Sequence, residues 1–312
     1  MVTRRLCLLS TLLLIAAAAL GAQVRFNSTD MTISIGGQPF ATFNRGIEAG
    51  KPFLAPLRSA SGKIITRGFP MEMIPGESRD HLHHRGLWFS YDNVNGVRFW
   101  ENDPSYTKPR LGRIIVRDVS WMDGEGKGTL TSTMEWCDPE GNVLLVEERK
   151  MDVYDNPTLR MMDFDITLTA AADVTIGDTK EGAFAIRLAE NFTERRGVTI
   201  VNAEGLTGMK QAWGKRSPWV DYAADVDGEL IGVAIFDHPQ NPHYPTYWHV
   251  RDYGLFSLNP FGQAAFDPDA DDNITRLSKG ETLHFIWRVL IHPGNASSGH
   301  VAKLYQEFVE AQ

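Results

Sequence analysis

Three stretches of this chain alternate apolar and polar residues with a period of two, and that alternation limits the fold more than any other feature. Leu130, Ser132, Met134 and Trp136 alternate with Thr129, Thr131, Thr133 and Glu135. Met162, Phe164, Ile166, Leu168 and Ala170 alternate with Met161, Asp163, Asp165, Thr167 and Thr169. Leu283, Phe285, Trp287, Val289 and Ile291 alternate with His284, Ile286, Arg288 and Leu290. Successive side chains of a strand point to opposite faces, so this pattern predicts half-buried strands. Asp138-Pro139-Glu140-Gly141-Asn142 is a turn sequence, and Val143 to Tyr154 reads as the returning strand. Asp155-Asn156-Pro157 turns the chain again, which predicts an antiparallel meander.

Helix signals are scarce. Val301, Leu304, Tyr305 and Phe308 recur at helical spacing within Ser298 to Glu310, with Ser297 or Ser298 as the cap. No fixed-period repeat and no long Pro/Gly/Ser linker divides the chain. The expectation is a mainly β protein: a single large antiparallel β-sandwich over residues 23–312 with a short C-terminal helix. A seven-stranded immunoglobulin sandwich needs only about 100 residues, so a larger two-sheet sandwich or a double jelly roll fits better.

Residues 1–22 stand apart from that domain. Arg4 and Arg5 precede an apolar run from Leu6 to Leu20, and small residues follow at Gly21 and Ala22. This order is that of a secretory signal peptide. The run is shorter than the roughly 20 residues that span a bilayer, so the mature form is expected to hold no membrane segment. Export by the Sec route to the periplasm or the exterior follows, and the Arg pair also admits a twin-arginine signal.

Removal of Arg4 and Arg5 takes the formal charge from −8 to −10. That acidic balance argues against a nucleic-acid partner. Cys7 leaves with the same segment, so Cys137 remains alone and is read as a strand residue.

Chemistry concentrates in three segments: Arg79 to Gly96, Gly177 to Arg187, and Asp237 to Gly262. Six of the nine histidines, at 81, 83, 84, 238, 243 and 249, lie in the first and third. Imidazole titrates near neutral pH and serves as acid or base. Aromatic faces and Arg or Asn donors beside it suit a sugar-like ligand. Pro239, Pro242 and Pro245 predict that the third segment is an ordered loop.

On a strand, His81 and His83 would face the same way and could chelate a divalent metal, with a third ligand from His84, His238, His243 or His249. Glu181, between Lys180 and Gly182, is a candidate base on a turn. Arg187 sits among Phe184, Ile186 and Leu188, so it is expected to pair with a carboxylate, that of Glu181 or of a ligand. Trp213 is a candidate pocket floor. The acidic run Asp267 to Asn273 lacks the Gly and Glu of a calcium loop and reads as solvated.

His81-Leu82-His83-His84-Arg85-Gly86-Leu87-Trp88-Phe89, then Gly177-Asp178-Thr179-Lys180-Glu181-Gly182, then Asn241-Pro242 through Tyr247-Trp248-His249 resemble the bacterial "methane oxygenase PmoA" family. The resemblance spans nearly the whole mature chain. It implies a sandwich like that of galactose mutarotase and a carbohydrate-related role. His243 stands where many relatives have Arg, and Val220 where many have Cys, which bears on ligand preference.

The leading functional expectation is a carbohydrate-active hydrolase, lyase or epimerase. His81, His83, His84, His238, His249 and Glu181 are its candidate acid–base groups. Arg85, Trp88, Asn95, Lys180, Arg187, Trp213, His243, Tyr247, Trp248 and Arg251 would bind a small-molecule or oligosaccharide substrate. A non-catalytic glycan-binding protein is the alternative, and the family label adds a metal-dependent oxygenase.

Overall fold

The computed structural model describes residues 23–311, so the predicted signal segment lies outside the described residues. The fold is mainly β, built from two large antiparallel sheets. One has nine strands, ordered in space as Tyr247–Val250, Leu255–Asn259, Gly182–Arg187, Leu87–Tyr91, Phe53–Leu57, Gln38–Asn44, Thr32–Ile35, Gln23–Phe26 and Gly124–Glu125. The other has eight: Thr199–Asn202, Trp219–Val226, Glu229–Asp237, Thr282–Pro293, Arg160–Ala170, Val143–Tyr154, Lys127–Cys137 and Arg113–Met122. A two-stranded ribbon joins Val174–Ile176 to Thr275–Leu277.

The predicted meander is the centre of the eight-stranded sheet. Lys127–Cys137 pairs with Val143–Tyr154, which pairs with Arg160–Ala170. Asp138 closes the first turn, its carboxylate accepting from the Asn142 amide at 2.8 Å. Leu130, Met134 and Trp136 face inward and are buried, as the alternation requires. Cys137 ends this strand as a buried free thiol.

The sheets pack face to face through aromatic side chains. Phe89 and Phe184 of the nine-stranded sheet meet Trp287 of the other, with ring centroids 5.4 and 4.9 Å apart. Truncating such a ring to alanine costs about 3–5 kcal/mol.

The helix runs from Val301 to Glu310, three residues later than the sequence predicted. Ser298 is engaged in a turn with Asn295, and His300 occupies the N-cap in a left-handed conformation without a side-chain cap. Val301, Tyr305 and Phe308 cover Trp219, Phe236, Ile286 and Leu290 on the outer face of the eight-stranded sheet. That cover explains why Ile286 and Leu290 interrupt the polar face of their strand. No helix among the described residues is long and apolar enough to cross a membrane.

Candidate active site

Four adjacent strands of the nine-stranded sheet build the site on its outer face. Trp88 lies opposite Ala185, Ala185 opposite Ser257, and Ser257 opposite His249. Directly opposed residues share a face, so Trp88 and His249 stand in one row with only two small side chains between them. Alternation puts Arg187 on that face too, while Leu87, Phe89, Ile186 and Leu258 enter the core. Trp248 also enters the core: it is fully buried and donates its Nε1 proton to the Ser217 carbonyl at 2.8 Å. It is a packing residue, not the ligand contact the sequence predicted. Tyr247 to Val250 is a strand, not the loop expected from the prolines, which occupy only the turn before it.

The loop before Leu87 brings the histidines onto this row. Arg79 to Gly86 is not a strand: His81 has φ 44°, and the His84 amide donates to the His81 carbonyl at 3.0 Å. The His-x-His alternation was therefore misread, because a turn closes between the two rings. His81 stacks on His84, with centroids 4.6 Å apart and planes 3° from parallel, and His83 meets both edge-on. His84 in turn stacks on Trp88 at 5.4 Å.

Two buried arginines hold this loop. Arg187 donates to Nδ1 of His84 at 3.1 Å and to Asp80 at 2.9 Å. Arg67 donates to the same Asp80 oxygen at 2.7 Å and to the carbonyls of His81 and His84. Arg187 thus pairs with Asp80, not with Glu181. Burial pushes the Asp80 carboxyl up, but the hydrogen bond with His81 and the charges of Arg187 and Arg67 outweigh it and hold it well below the usual carboxylate range.

The protonation states follow. A guanidinium can only donate, so His84 Nδ1 carries the lone pair and its proton sits on Nε2. Burial and the adjacent cationic groups keep His84 neutral, far below its ordinary value. His83 shares a hydrogen bond with the Tyr106 hydroxyl at 2.9 Å, and burial with the Lys51 charge pushes it down to about 2. His249 donates Nδ1–H to the Lys180 carbonyl at 3.1 Å, leaving the Nε2 lone pair free; burial with Arg251 and Lys180 lowers it to about 3. The Nε2 atoms of His83, His84 and His249 have no protein partner and are not sealed from solvent.

His81 is the exposed member, with 39% of its side chain accessible and Nδ1 at 3.1 Å from Asp80. Glu181 and His249 both lie within electrostatic reach of its ring. Glu181 precedes Gly182 at a bend, and Lys180 stands 3.9 Å from its carboxylate. Burial raises the Glu181 carboxyl, partly offset by Lys180. Glu181 also borders a cavity of about 330 Å³ lined by Asp92, Asn93, Gly96, Arg98, Asp178 and Thr179. That volume lies at the lower end of small-molecule pockets.

Four residues here were not among the candidate site residues, although Asp80 and Tyr253 lie within the first and third segments. Tyr253 stacks on His81 at 5.4 Å and is flanked by the guanidinium groups of Arg187 at 4.5 Å and Arg251 at 5.3 Å. Asp80 and Arg67 organise the loop as described. Lys51 is buried beneath, 5.7 Å from the Trp88 ring, and donates to Asn102 at 2.9 Å and to the Trp100 carbonyl. Burial pushes it down to about 7.

Other predicted residues lie apart or are already engaged. His238 packs edge-on against Phe308 of the C-terminal helix, 5.3 Å away, so it belongs to the other sheet's outer face. His243 is an exposed loop residue whose carbonyl accepts from Arg216 at 2.7 Å. Asn95 spends its side chain on the backbone of Asp173 and Thr175. Arg85 is tied to Asp103 at 2.6 Å. Trp213 packs on Phe266, which also stacks on Tyr247, so these aromatics form the rim beside His249. Among the described residues no group of three His, Cys, Asp or Glu side chains is arranged to hold a metal. Nδ1 of His84, one predicted third ligand, is taken by Arg187. The donor set does not fit a divalent ion on His81 and His83.

The fold and site define a β-sandwich protein with a histidine, arginine and aromatic cluster on one outer sheet face. The chain belongs to the family of unknown function DUF6807, whose model matches residues 30–306. This match overturns the PmoA resemblance. No curated protein sequence matches the chain. Among solved structures, the chain is similar to an α-galactosidase from Lactobacillus brevis at 11% identity, covering 87% of this chain and 40% of that one with a TM-score of 0.43. It is similar to the GH36 α-galactosidase AgaB from Geobacillus stearothermophilus at 12% identity, covering 87% and 41%, TM-score 0.43. It is also similar to a putative aldose 1-epimerase from Escherichia coli K12 at 10% identity, covering 88% and 96%, TM-score 0.31. The chain spans about 40% of the length of the α-galactosidases.

Proposed function

We propose that this protein is a carbohydrate-active enzyme whose sugar lies over His81 and Tyr253, with His249 and Glu181 at its edge. The observation that carries this reading is that His249 and Arg187 share the outer sheet face, with Glu181 just before the strand of Arg187, while Arg67, Arg187 and Asp80 hold over that face the loop whose His81 stacks on Tyr253. A flat aromatic edge, neutral imidazole nitrogens and a guanidinium supply the stacking surface, acceptors and donors that a polyhydroxylated ring needs.

In this reading Asp80 orients His81, which acts as one proton-transfer group. Glu181, raised by burial, acts as the other. His249 accepts a sugar hydroxyl at Nε2. His83 and His84 are positioning residues, held neutral by burial. The reaction class is hydrolysis, elimination or epimerisation, each of which needs one acid and one base. The signal-like order of residues 1–22 supports a periplasmic or extracellular location for this activity.

The test is incubation with a panel of sugars and glycosides, with products followed by NMR. His81→Ala and Glu181→Gln should each abolish turnover while the circular dichroism spectrum stays native. Full activity in both variants contradicts the assignment. Saturable binding with no product from the wild type would make the protein a glycan-binding module instead.

A further inference from the structure

We infer that the ligand of this site is an acidic sugar, and that Arg251 with Lys180 forms the subsite for its anionic group. The inference rests on the sugar-site reading above and adds the charge of the ligand. Its basis is a guanidinium without an acceptor. No side-chain hydrogen bond or ion pair joins Arg251 to any described residue, and its Nε is sealed from solvent with no partner. Arg85, Arg149 and Arg288 show the usual solution, each held by a carboxylate. An Nε without a partner is shared by Arg67 and Arg187, but the terminal nitrogens of Arg251 reach solvent and meet no protein acceptor, so they are free to take the oxygens of a ligand.

The charge count around it points the same way. Arg67 and Arg187 share the one carboxylate of Asp80. Lys180 has only Glu181 within reach, at 3.9 Å. Three of these four cations thus share two carboxylates at ion-pair distance and Arg251 has none, while Glu77 and Glu190 act on Arg67 and Arg187 from farther off; the Glu101 and Asp92 carboxylates beyond Glu181 carry their own partners in Lys108 and Arg98. His249 links the two cations: its Nδ1 donates to the Lys180 carbonyl at 3.1 Å, and Arg251 follows two residues later, its amide donating to the Leu255 carbonyl at 2.9 Å.

The geometry matches a sugar bearing an anionic oxygen group next to a hydroxyl. The guanidinium fork takes the anion, which it recognises bidentately. Lys180 adds a second charge, and the neighbouring hydroxyl donates to Nε2 of His249. A uronate carboxylate and a sugar phosphate share this chemistry.

Isothermal titration calorimetry on the mature chain tests the inference with D-galacturonate, D-glucuronate, glucose 6-phosphate, D-galactose and D-glucose. At least one charged sugar should bind tenfold or more tightly than its neutral counterpart. The better of the uronates and the phosphate identifies the source of the anion. Arg251→Gln and Lys180→Gln should each remove most of that preference, the charged sugar falling toward the affinity of its neutral counterpart in the same variant. Lys180 is half exposed, so its variant stays informative if the Arg251 variant folds poorly. Arg117→Gln, which breaks an exposed pair with Glu135 on the other sheet, should change nothing. Neutral sugars bound as tightly as charged ones would overturn the anionic subsite and leave the sugar site standing. Binding of none of the five would overturn both.

Discussion

His84 accepts a hydrogen bond at Nδ1 from Arg187, 3.1 Å away, and both side chains are buried, although 103 residues separate them. The contact fixes the imidazole tautomer and joins the histidine loop to the sheet. Arg187→Met removes it and leaves Asp80 with Arg67 alone. Losing a buried ion-pair partner costs 3–5 kcal/mol, but Asp80 is 40% exposed and keeps a second arginine. The expected loss is therefore about 2 kcal/mol in urea unfolding, with sugar binding abolished. An unchanged unfolding midpoint would show that the pair carries no stability.

Lys51 supplies a pH signature. Its folded pKa of about 7 lies below the ordinary 10.5. Between those values the unfolded chain binds more protons, so stability rises with pH from about 7 upward. Urea midpoints measured from pH 7 to 9.5 should climb in the wild type, and Lys51→Met should flatten the climb. Parallel profiles for the two proteins would place the titration elsewhere.

His292 has the opposite sign. It lies 2.8 Å from Asp221 beneath the C-terminal helix region, and its other nitrogen faces the Pro293 carbonyl at 3.1 Å. Burial opposes the charge, but Asp221 wins and raises His292 above 6.5. A raised pKa stabilises fully below the unfolded value and loses that contribution as pH rises through the folded one. His292→Leu should cost about 3 kcal/mol near pH 6 and show a smaller loss of stability between pH 6.5 and 9. Thermal unfolding across that range checks it.

Under the proposed function, Glu181 should set the acid limb of the pH profile. Burial raises its carboxyl above 4.5, so kcat/KM should begin to fall at a pH above the ordinary glutamate range. Glu181→Gln should remove that limb with the activity. A limb at the ordinary value would assign the base elsewhere.

The strands from 127 to 170 were legible because each one's buried face repeats every second residue and a turn residue closes each hairpin. The histidine loop was not, because three residues cannot distinguish alternation from a turn, and His81 adopts a left-handed backbone. His238 shares a segment with His249, yet the turn at 238–246 carries the two to opposite sheets. Arg67 and Lys51 have no local signature, and Tyr253 is one aromatic among several in its segment. Their roles come from contacts between strands far apart in sequence, which only the sheet order reveals. The segments that hold His81, His83, His84, His249 and Arg187 were marked out by composition, whereas the contacts that Arg67 and Lys51 make with them were not.

The most direct test of the central claim is a crystal of the protein soaked with the sugar panel. Ligand density is predicted over His81 and Tyr253, within hydrogen-bond distance of His249 Nε2. Density instead in the cavity of about 640 Å³ beside Lys63 and Asn191, or beneath the C-terminal helix at His238, would contradict it.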